Sequence, residues 1–388
     1  MKILFVTPWV PAPVRPRSHV FLQMLAKEHD VHFLSLVKHD AEARLADELP
    51  VGERTLVPNT RAGSMTRSLG ALLTGVSLQQ GYASPKALTT ALRRKLDEWR
   101  PDVVHLNVFR TVHLVEECGS TPVIVDLDEF RSEYYEQLAA TSSSPAWRAL
   151  GRVEAARMRA REDELVAKRV PLMLSAPSLT GVERPSTYVV RSPCDFPIQR
   201  DPGPVEPVVL FVGRLSYEAN VSGLLWFVRE CWDGIRALVP DARLRIVGSD
   251  PPRSVQALAE AGNGIELYPN APSVEPHYGQ SAVAIAPIFR GTGVQMKLIQ
   301  SLSAGVPTVT TTTVAARAGV QDRVHVRVAD DGTGWVSAVS DLLSQPAQAE
   351  RLAHSGREWA VANHSSAAVA RQLNVAYAAA VGSAAVDV

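Results

Sequence analysis

The hydrophobic positions of this chain fall into short continuous runs separated by segments of helical period. "KILFVTP" is a continuous apolar run, the pattern of a strand buried on both faces of a parallel sheet. A proline-rich loop, "PWVPAPVRPR", follows it. "SHVFLQMLAKEHD" then places Val20, Leu22, Leu25 and Ala26 on one helical side, and "VHFLSLV" predicts a second strand. This is a strand–helix–strand unit with the expected right-handed crossover. The grammar recurs in "ALTTALRRKLDEWRP" as helix and in "DVVHLNV" and "TPVIVDLD" as strands. Residues 145–168 predict one long charged helix, and "VPLMLSAP" and "STYVVRSP" two short strands. In the charged helix, Arg148, Arg152, Arg157, Arg159 and Arg161 interleave with Glu154, Glu162, Asp163 and Glu164. That alternation predicts a solvated face laced with ion pairs one turn apart.

"CDFPIQRDPGPVEP", residues 194–207, has no apolar period and is rich in proline, so it is expected to be a linker. After it the pattern restarts. "VVLFVGRL" is a buried strand ending at Gly213, "NVSGLLWFVRECWDGIRALVP" an amphipathic helix, and "ARLRIVGSD" a strand ending at Gly248. "SVQALAEAG", "GIELYPN", "VEPHYGQ" and "AVAIAPIF" continue as helix, strand, short helix and strand. "RGTGVQMKLIQSLSAGVPTVTT" reads as turn, helix and strand, and two or three helices fill the tail. The expected fold class is α/β, with two doubly wound Rossmann-like domains facing across a cleft. The expected boundaries are 1–193 and 208–365, with 366–388 a C-terminal helix packing back on the first domain.

Composition narrows the picture. A chain of 388 residues exceeds one ordinary core. Lys+Arg and Asp+Glu are both 40, which argues against binding nucleic acid through bulk charge. The cysteines, Cys118, Cys194 and Cys231, are too scattered for a metal site or a disulfide framework. The opening apolar run is broken early by proline, unlike a signal peptide, and no run reaches membrane-spanning length. A cytoplasmic protein is expected, with peripheral membrane contact left open. No G-x-G-x-x-G follows the first strand and no G-x-x-x-x-G-K-[ST] occurs, which sets aside a dinucleotide dehydrogenase and a P-loop NTPase.

Two sites carry candidate chemistry. The turn Gly291-Thr292-Gly293 can bring backbone N–H groups close to an anion, and the helix after it adds its positive end. Lys297 in the first turn opposes the helix dipole on its own but becomes favourable beside a phosphate. Gln300 shares its helix face and can reach neighbouring hydroxyls. Arg214, after the strand that ends at Gly213, can fork onto diphosphate oxygens. The alternatives are a surface lysine beside a Schellman-type cap at Gly305, and an Arg214 paired with Glu218.

"VVLFVGRLSYEANVSGLLWFVRECW", "ARLRIVGSDPP", "IELYPNAPSVEPHYGQSAVAIAPI" and "GTGVQMKLIQSLSAGVPTVTT", in that order, resemble the nucleotide-sugar domain of family-4-type retaining glycosyltransferases of GT-B architecture. "MKILFVTPWVPAP", "RPDVVHLN" and "VIVDLDEFRSEYYEQLA" extend the likeness, more loosely, to the first half. The resemblance implies that Arg214 and Lys297 hold the donor diphosphate, with Gly213, Gly291, Thr292, Gly293 and Gln300 around the donor. That family often carries two glutamates where Thr292 and Gln300 stand here, and a lysine near the place of Asn220. An amide at 300 bonds hydroxyls without charge assistance, so altered nucleotide binding is expected. On the acceptor or sugar side, His105 and Asn107 fall where relatives often place residues that contact the transferred sugar. Arg15 and Arg17 stand in a loop where that family often has paired glycines and can face the phosphate or the acceptor, and Asp126 and Asp128 end their strand where they can bind acceptor hydroxyls. His105 and Asp126 are equally readable as packed or turn residues, and the arginines as surface ones.

The implied activity is retaining sugar transfer from a nucleotide-diphosphate sugar, as co-substrate, to a saccharide, lipid-linked or small-molecule acceptor. No other cofactor is implied. Nor is a metal, since Asp126-Leu127-Asp128 lies away from the phosphate motif. A nucleotide-sugar epimerase of similar architecture and a catalytically inactive nucleotide-sugar-binding protein are the alternatives.

Overall fold

The computed structural model describes residues 1–12, 16–142, 144–177, 184–196, 206–260, 262–291 and 293–383. They form two compact units. The first holds the chain up to Ser175, the strand segment ending at Ser192 and the C-terminal helix from Val369; the second holds the described part of Pro193–Ala368.

The first unit is built on seven parallel strands: β1 (Lys2–Thr7), β2 (Asp30–Val37), β3 (Arg54–Pro58), β4 (Val103–Asn107), β5 (Val123–Asp128), β6 (Leu172–Leu174) and β7 (Thr187–Val189), in the order β3-β2-β1-β4-β5-β6-β7. The unbroken apolar runs of β1 and β4 follow from their central place. Leu4 and Val6 pack with Leu34, Leu36, Val104 and Leu106 on one face, and Ile3 and Phe5 with Phe21, Val31, Phe33 and Val103 on the other. The Ser366–Ser383 helix adds Val369, Leu373, Ala376, Tyr377 and Ala380 to that second face.

One expectation is corrected in this unit. The charged helix, here Pro145–Ala167, is only partly a solvated face. Lys168 and Arg161 do pair with Glu164 across one turn. Glu154 and Glu162, however, are fully buried. Glu162 accepts from the Ser132 hydroxyl and backbone N–H, and burial pushes its carboxyl up to about 7. Alternating charge gives no sign of this, because the partners lie on another helix.

The second unit has six parallel strands: β8 (Val208–Val212), β9 (Arg243–Gly248), β10 (Ile265–Pro269), β11 (Val283–Ala286), β12 (Thr308–Thr310) and β13 (Arg327–Val328), in the order β10-β9-β8-β11-β12-β13. The amphipathic helix expected after β8 is interrupted. Glu218–Phe227 passes through a π-helical stretch, Val228–Trp232, before Asp233–Leu238. The wider turn accompanies a fully buried Trp232, whose indole N–H donates to the Asn263 carbonyl at 2.8 Å. Strand order reverses beside β1 in one sheet and beside β8 in the other, and open α/β sheets bind ligands at the carboxyl ends of strands flanking such a switch. At β8 and β9 those ends are glycine for a steric reason. A Cβ on Gly248 would stand 1.9 Å from the Gly213 carbonyl oxygen.

Candidate functional site

In the second unit the site is assembled around the end of β8. Asn220, buried in the first turn of the Glu218–Phe227 helix, joins the two predicted cationic residues. Its Nδ2 donates to the Arg214 carbonyl at 2.7 Å, and its Oδ1 accepts from Lys297 Nζ. The lysine stem crosses the strand end so closely that a Cβ on Gly213 would meet Lys297 Cε at 3.2 Å. Glycine there is what lets the ammonium reach inward, where it stands 5.5 Å from the centre of the Phe211 ring.

Lys297 has no carboxylate partner among the described residues. Burial pushes its ammonium down to about 8. The Arg214 guanidinium is exposed and likewise makes no ion pair among the described residues, with Glu218 or otherwise. The Met296–Ser303 helix starts at Gln295 without a side-chain cap. Its first N–H groups and the neighbouring ammonium thus present positive potential to the same place. A Schellman motif ends this helix: the Val306 N–H donates to the Ser301 carbonyl and the Gly305 N–H to that of Leu302, both at 2.9 Å, with Gly305 at φ 71°.

Gly291, at φ 141°, holds a conformation that other residues rarely adopt. The Gly293 carbonyl accepts from Gln295 Nε2 at 3.4 Å, and Thr292 lies outside the described residues. Gln300 Oε1 accepts from the Tyr278 hydroxyl at 3.4 Å, and the same hydroxyl reaches the Lys297 carbonyl at 3.3 Å. Burial raises the Tyr278 phenol, so it acts as a neutral donor, and Phe196 meets its ring edge-on at 5.1 Å. Asn220 as a bridge and Tyr278 as a support were not visible in the sequence: their partners lie 77 and 22 residues away.

The polar residues expected on the acceptor side are brought together in the first unit, but differently. Arg17 grips Asp126 with Nε to Oδ2 at 2.9 Å and Nη2 to Oδ1 at 2.8 Å, and its Nη1 donates to the Val190 carbonyl at 2.7 Å. Asp126 is fully buried and Arg17 only 9% exposed. Asn107 Nδ2 donates to Asp126 Oδ2 at 3.3 Å. His105 stacks on Phe5 with ring centres 4.3 Å apart, and its Nδ1 lies 2.6 Å from the Tyr377 hydroxyl. Burial pushes this imidazole down to about 3, so it is neutral. Arg17 is therefore not a surface residue: it forms an internal ion pair with Asp126, whose Oδ1 also accepts from the Asp128 backbone N–H at 3.2 Å in a turn of the Asx kind. Arg15 lies outside the described residues.

Residues 206–345 match the family model of Glycosyl transferases group 1. A stretch of 130 residues is 26% identical to an uncharacterized 44.6 kDa protein in the cps region of Klebsiella pneumoniae, covering 32% of this chain and 34% of that protein. The chain thus spans about a third of that relative's length. In fold, 97% of the chain matches Anabaena HepE in complex with UDP, with a TM-score of 0.69, 12% identity and 100% of that chain covered. Sucrose-phosphate synthase from Thermosynechococcus elongatus matches over 97% of this chain and 98% of its own, with a TM-score of 0.63 and 14% identity. At such identities these two likenesses speak for the fold. The chain has the two-sheet GT-B fold, and the likeness to the group 1 glycosyltransferases lies in residues 206–345.

Proposed function

We propose that the chain is a retaining glycosyltransferase that moves a sugar from a nucleoside-diphosphate sugar to an acceptor hydroxyl. The observation that carries this is Lys297, a half-buried ammonium with an amide and a ring for company and no carboxylate among the described residues. Such a charge is disfavoured until an anion arrives. A diphosphate supplies that anion at the uncapped start of the Met296–Ser303 helix, with the unpaired Arg214 guanidinium on the adjacent strand end.

The chemistry follows from the charge. As the C1–O bond of the donor breaks, its electron pair passes to the terminal phosphate oxygen. Lys297 and Arg214 stabilise the growing negative charge where it develops. The acceptor hydroxyl attacks C1 from the face that the diphosphate leaves, and its proton goes to the departing phosphate oxygen. Glycoside and nucleoside diphosphate are the products. Gln300 bonds the ribose hydroxyls as an uncharged partner, and the protein's cations take the role that a metal fills elsewhere. The acceptor is a saccharide, a lipid-linked saccharide or a small molecule.

HepE was solved with UDP, which makes UDP the first probe. Calorimetry with UDP, followed by mass spectrometry of products from a donor-by-acceptor screen, tests the proposal. Binding together with a glycosylated product is expected; absence of nucleotide binding from a uridine, guanosine and adenosine diphosphate series overturns it. The amide at Gln300 supports a second reading, a binding protein without turnover. Nucleotide-sugar binding with no transfer across the whole screen selects that reading, and an epimerised donor selects the epimerase.

A further inference from the structure

The Arg61–Thr74 helix of the first unit is built inside out. Its inward side carries Ser64, Arg67, Ser68 and Ala71. Ser64 Oγ donates to Asn59 Oδ1 at 3.0 Å, Arg67 Nη2 reaches the Tyr82 carbonyl at 3.4 Å, and Ser68 Oγ donates to the Leu78 carbonyl at 3.2 Å. Its outward side carries Met65, Leu69, Leu72 and Leu73, with Val76 just beyond the left-handed Gly75 that ends the helix. Met65 and Leu69 are 64% exposed and Leu73 is 92% exposed. Positions 65, 69, 72 and 73 are one helical stripe, which a surface helix ordinarily turns toward the core. Hydrogen bonds fix the polar side inward, so the stripe is held out to solvent.

The Pro145–Ala167 helix lies against the end of this stripe. Arg157 Nη2 donates to the Leu72 carbonyl at 3.0 Å, and Glu154 accepts from the Leu78 N–H at 2.8 Å. One turn before Arg157, Val153 is exposed, as is Trp147 near the helix start. The charge pattern is equally one-sided. From Arg54 to Leu96 the sequence has no aspartate or glutamate, in a chain whose formal net charge is zero. Between Glu136 and Glu162 the only acid is Glu154, which is buried. Arg61 and Arg152 are exposed.

We propose that this face rests on an anionic lipid surface, with Leu69, Leu72 and Leu73 at the acyl boundary and Arg61 and Arg152 against headgroup phosphates. An apolar stripe bordered by arginine, on two segments that themselves carry no exposed carboxylate, is what such a surface binds. No helix among the described residues is long and apolar enough to cross a membrane, so the contact lies in the interface plane. It involves no residue of the donor site, and each proposal stands or falls without the other.

The test is co-sedimentation of the full chain with vesicles of phosphatidylcholine alone and of phosphatidylcholine mixed with phosphatidylglycerol. Binding to the anionic vesicles, weakened by salt, is expected. The double substitution Leu69→Glu/Leu73→Glu should lower it by ~10-fold or more, and Arg152→Glu by less. Both sites are exposed, so circular dichroism and UDP binding should stay as in the wild type. Wild-type protein left in the supernatant with both vesicle types overturns the proposal, as does pelleting that the double variant does not change. A concentration-dependent dimer that the double variant disperses, without vesicle binding, overturns it in favour of self-association.

Discussion

Two polar constellations, one on β4 and β5 of the first unit and one at the end of β8 in the second, differ in one respect. In the first unit Arg17, Asp126, Asn107, His105 and Tyr377 bond mainly to one another, buried, with the cation and the acid in one fork-to-fork pair. In the second, Lys297 and Arg214 have no acid among the described residues, and Asn220 accepts from the Lys297 ammonium with its amide oxygen. A charge balanced from within mainly specifies structure. A charge left unbalanced at an open strand end costs stability and is kept for a ligand. The same residue types therefore balance one another in one sheet and, on the function proposed above, serve chemistry in the other.

That contrast can be broken most sharply at Asp126. Asp126→Ala leaves the buried Arg17 guanidinium with only Asp128, whose Oδ1 stands 3.6 Å from Nε, and a loss of up to about 3 kcal/mol is expected in chemical denaturation. The double variant Arg17→Met/Asp126→Leu should recover most of it. If Asp126→Ala is as stable as the wild type, the constellation of the first unit is not structural. Lys297→Ala should do the reverse: stability unchanged or raised, turnover down by ~10² in steady-state kinetics. A destabilised protein with intact turnover would reverse the assignment.

The pH dependence sharpens the same point. Burial has moved the Lys297 ammonium down to about 8, so the charged form is present below that pH and lost above it. UDP affinity measured by calorimetry should be flat below pH ~8 and fall by up to ~10-fold per unit above it. Lys297→Ala should flatten the profile. The smallest effect is expected at Gln300, where Gln300→Glu places a carboxylate opposite the Tyr278 hydroxyl and the ribose. A ~5-fold gain in UDP affinity, the difference between neutral and charge-assisted bonds, is expected. A loss of affinity would mean that the amide suits this nucleotide better.

Legibility in the sequence tracked the distance over which each signal acts. Strands β1, β4 and β8 stood out because both of their faces are buried and their residues are nearly all apolar. Strand β3, with one fully buried residue in five, did not, nor did the two-residue β13. The Arg61–Thr74 helix went unread because its cues are split: hydrogen-bonding serines face the protein and leucines face away. Lys297 was legible because glycine turn, helix start and cation are contiguous. Its partner Asn220 was not, being joined only by the fold. The ion pair of Arg17 with Asp126 spans 109 positions, and the bond of His105 to Tyr377 spans 272. Local pattern announces elements, while long-range pairing decides which polar residues are spent on one another.

The last helix has a consequence for how the molecule is made. Val369, Leu373, Ala376 and Tyr377 complete a core whose other half includes Ile3, Phe5 and Phe21. A ribosome delivers these groups far apart in time, with the entire second sheet in between. That sheet can close while the nascent chain is still tethered, whereas the earlier one keeps an oily flank uncovered until the Val369–Tyr377 segment emerges. The sheet begun first is thus completed after the second, and its open flank is where a chaperone would find its binding site.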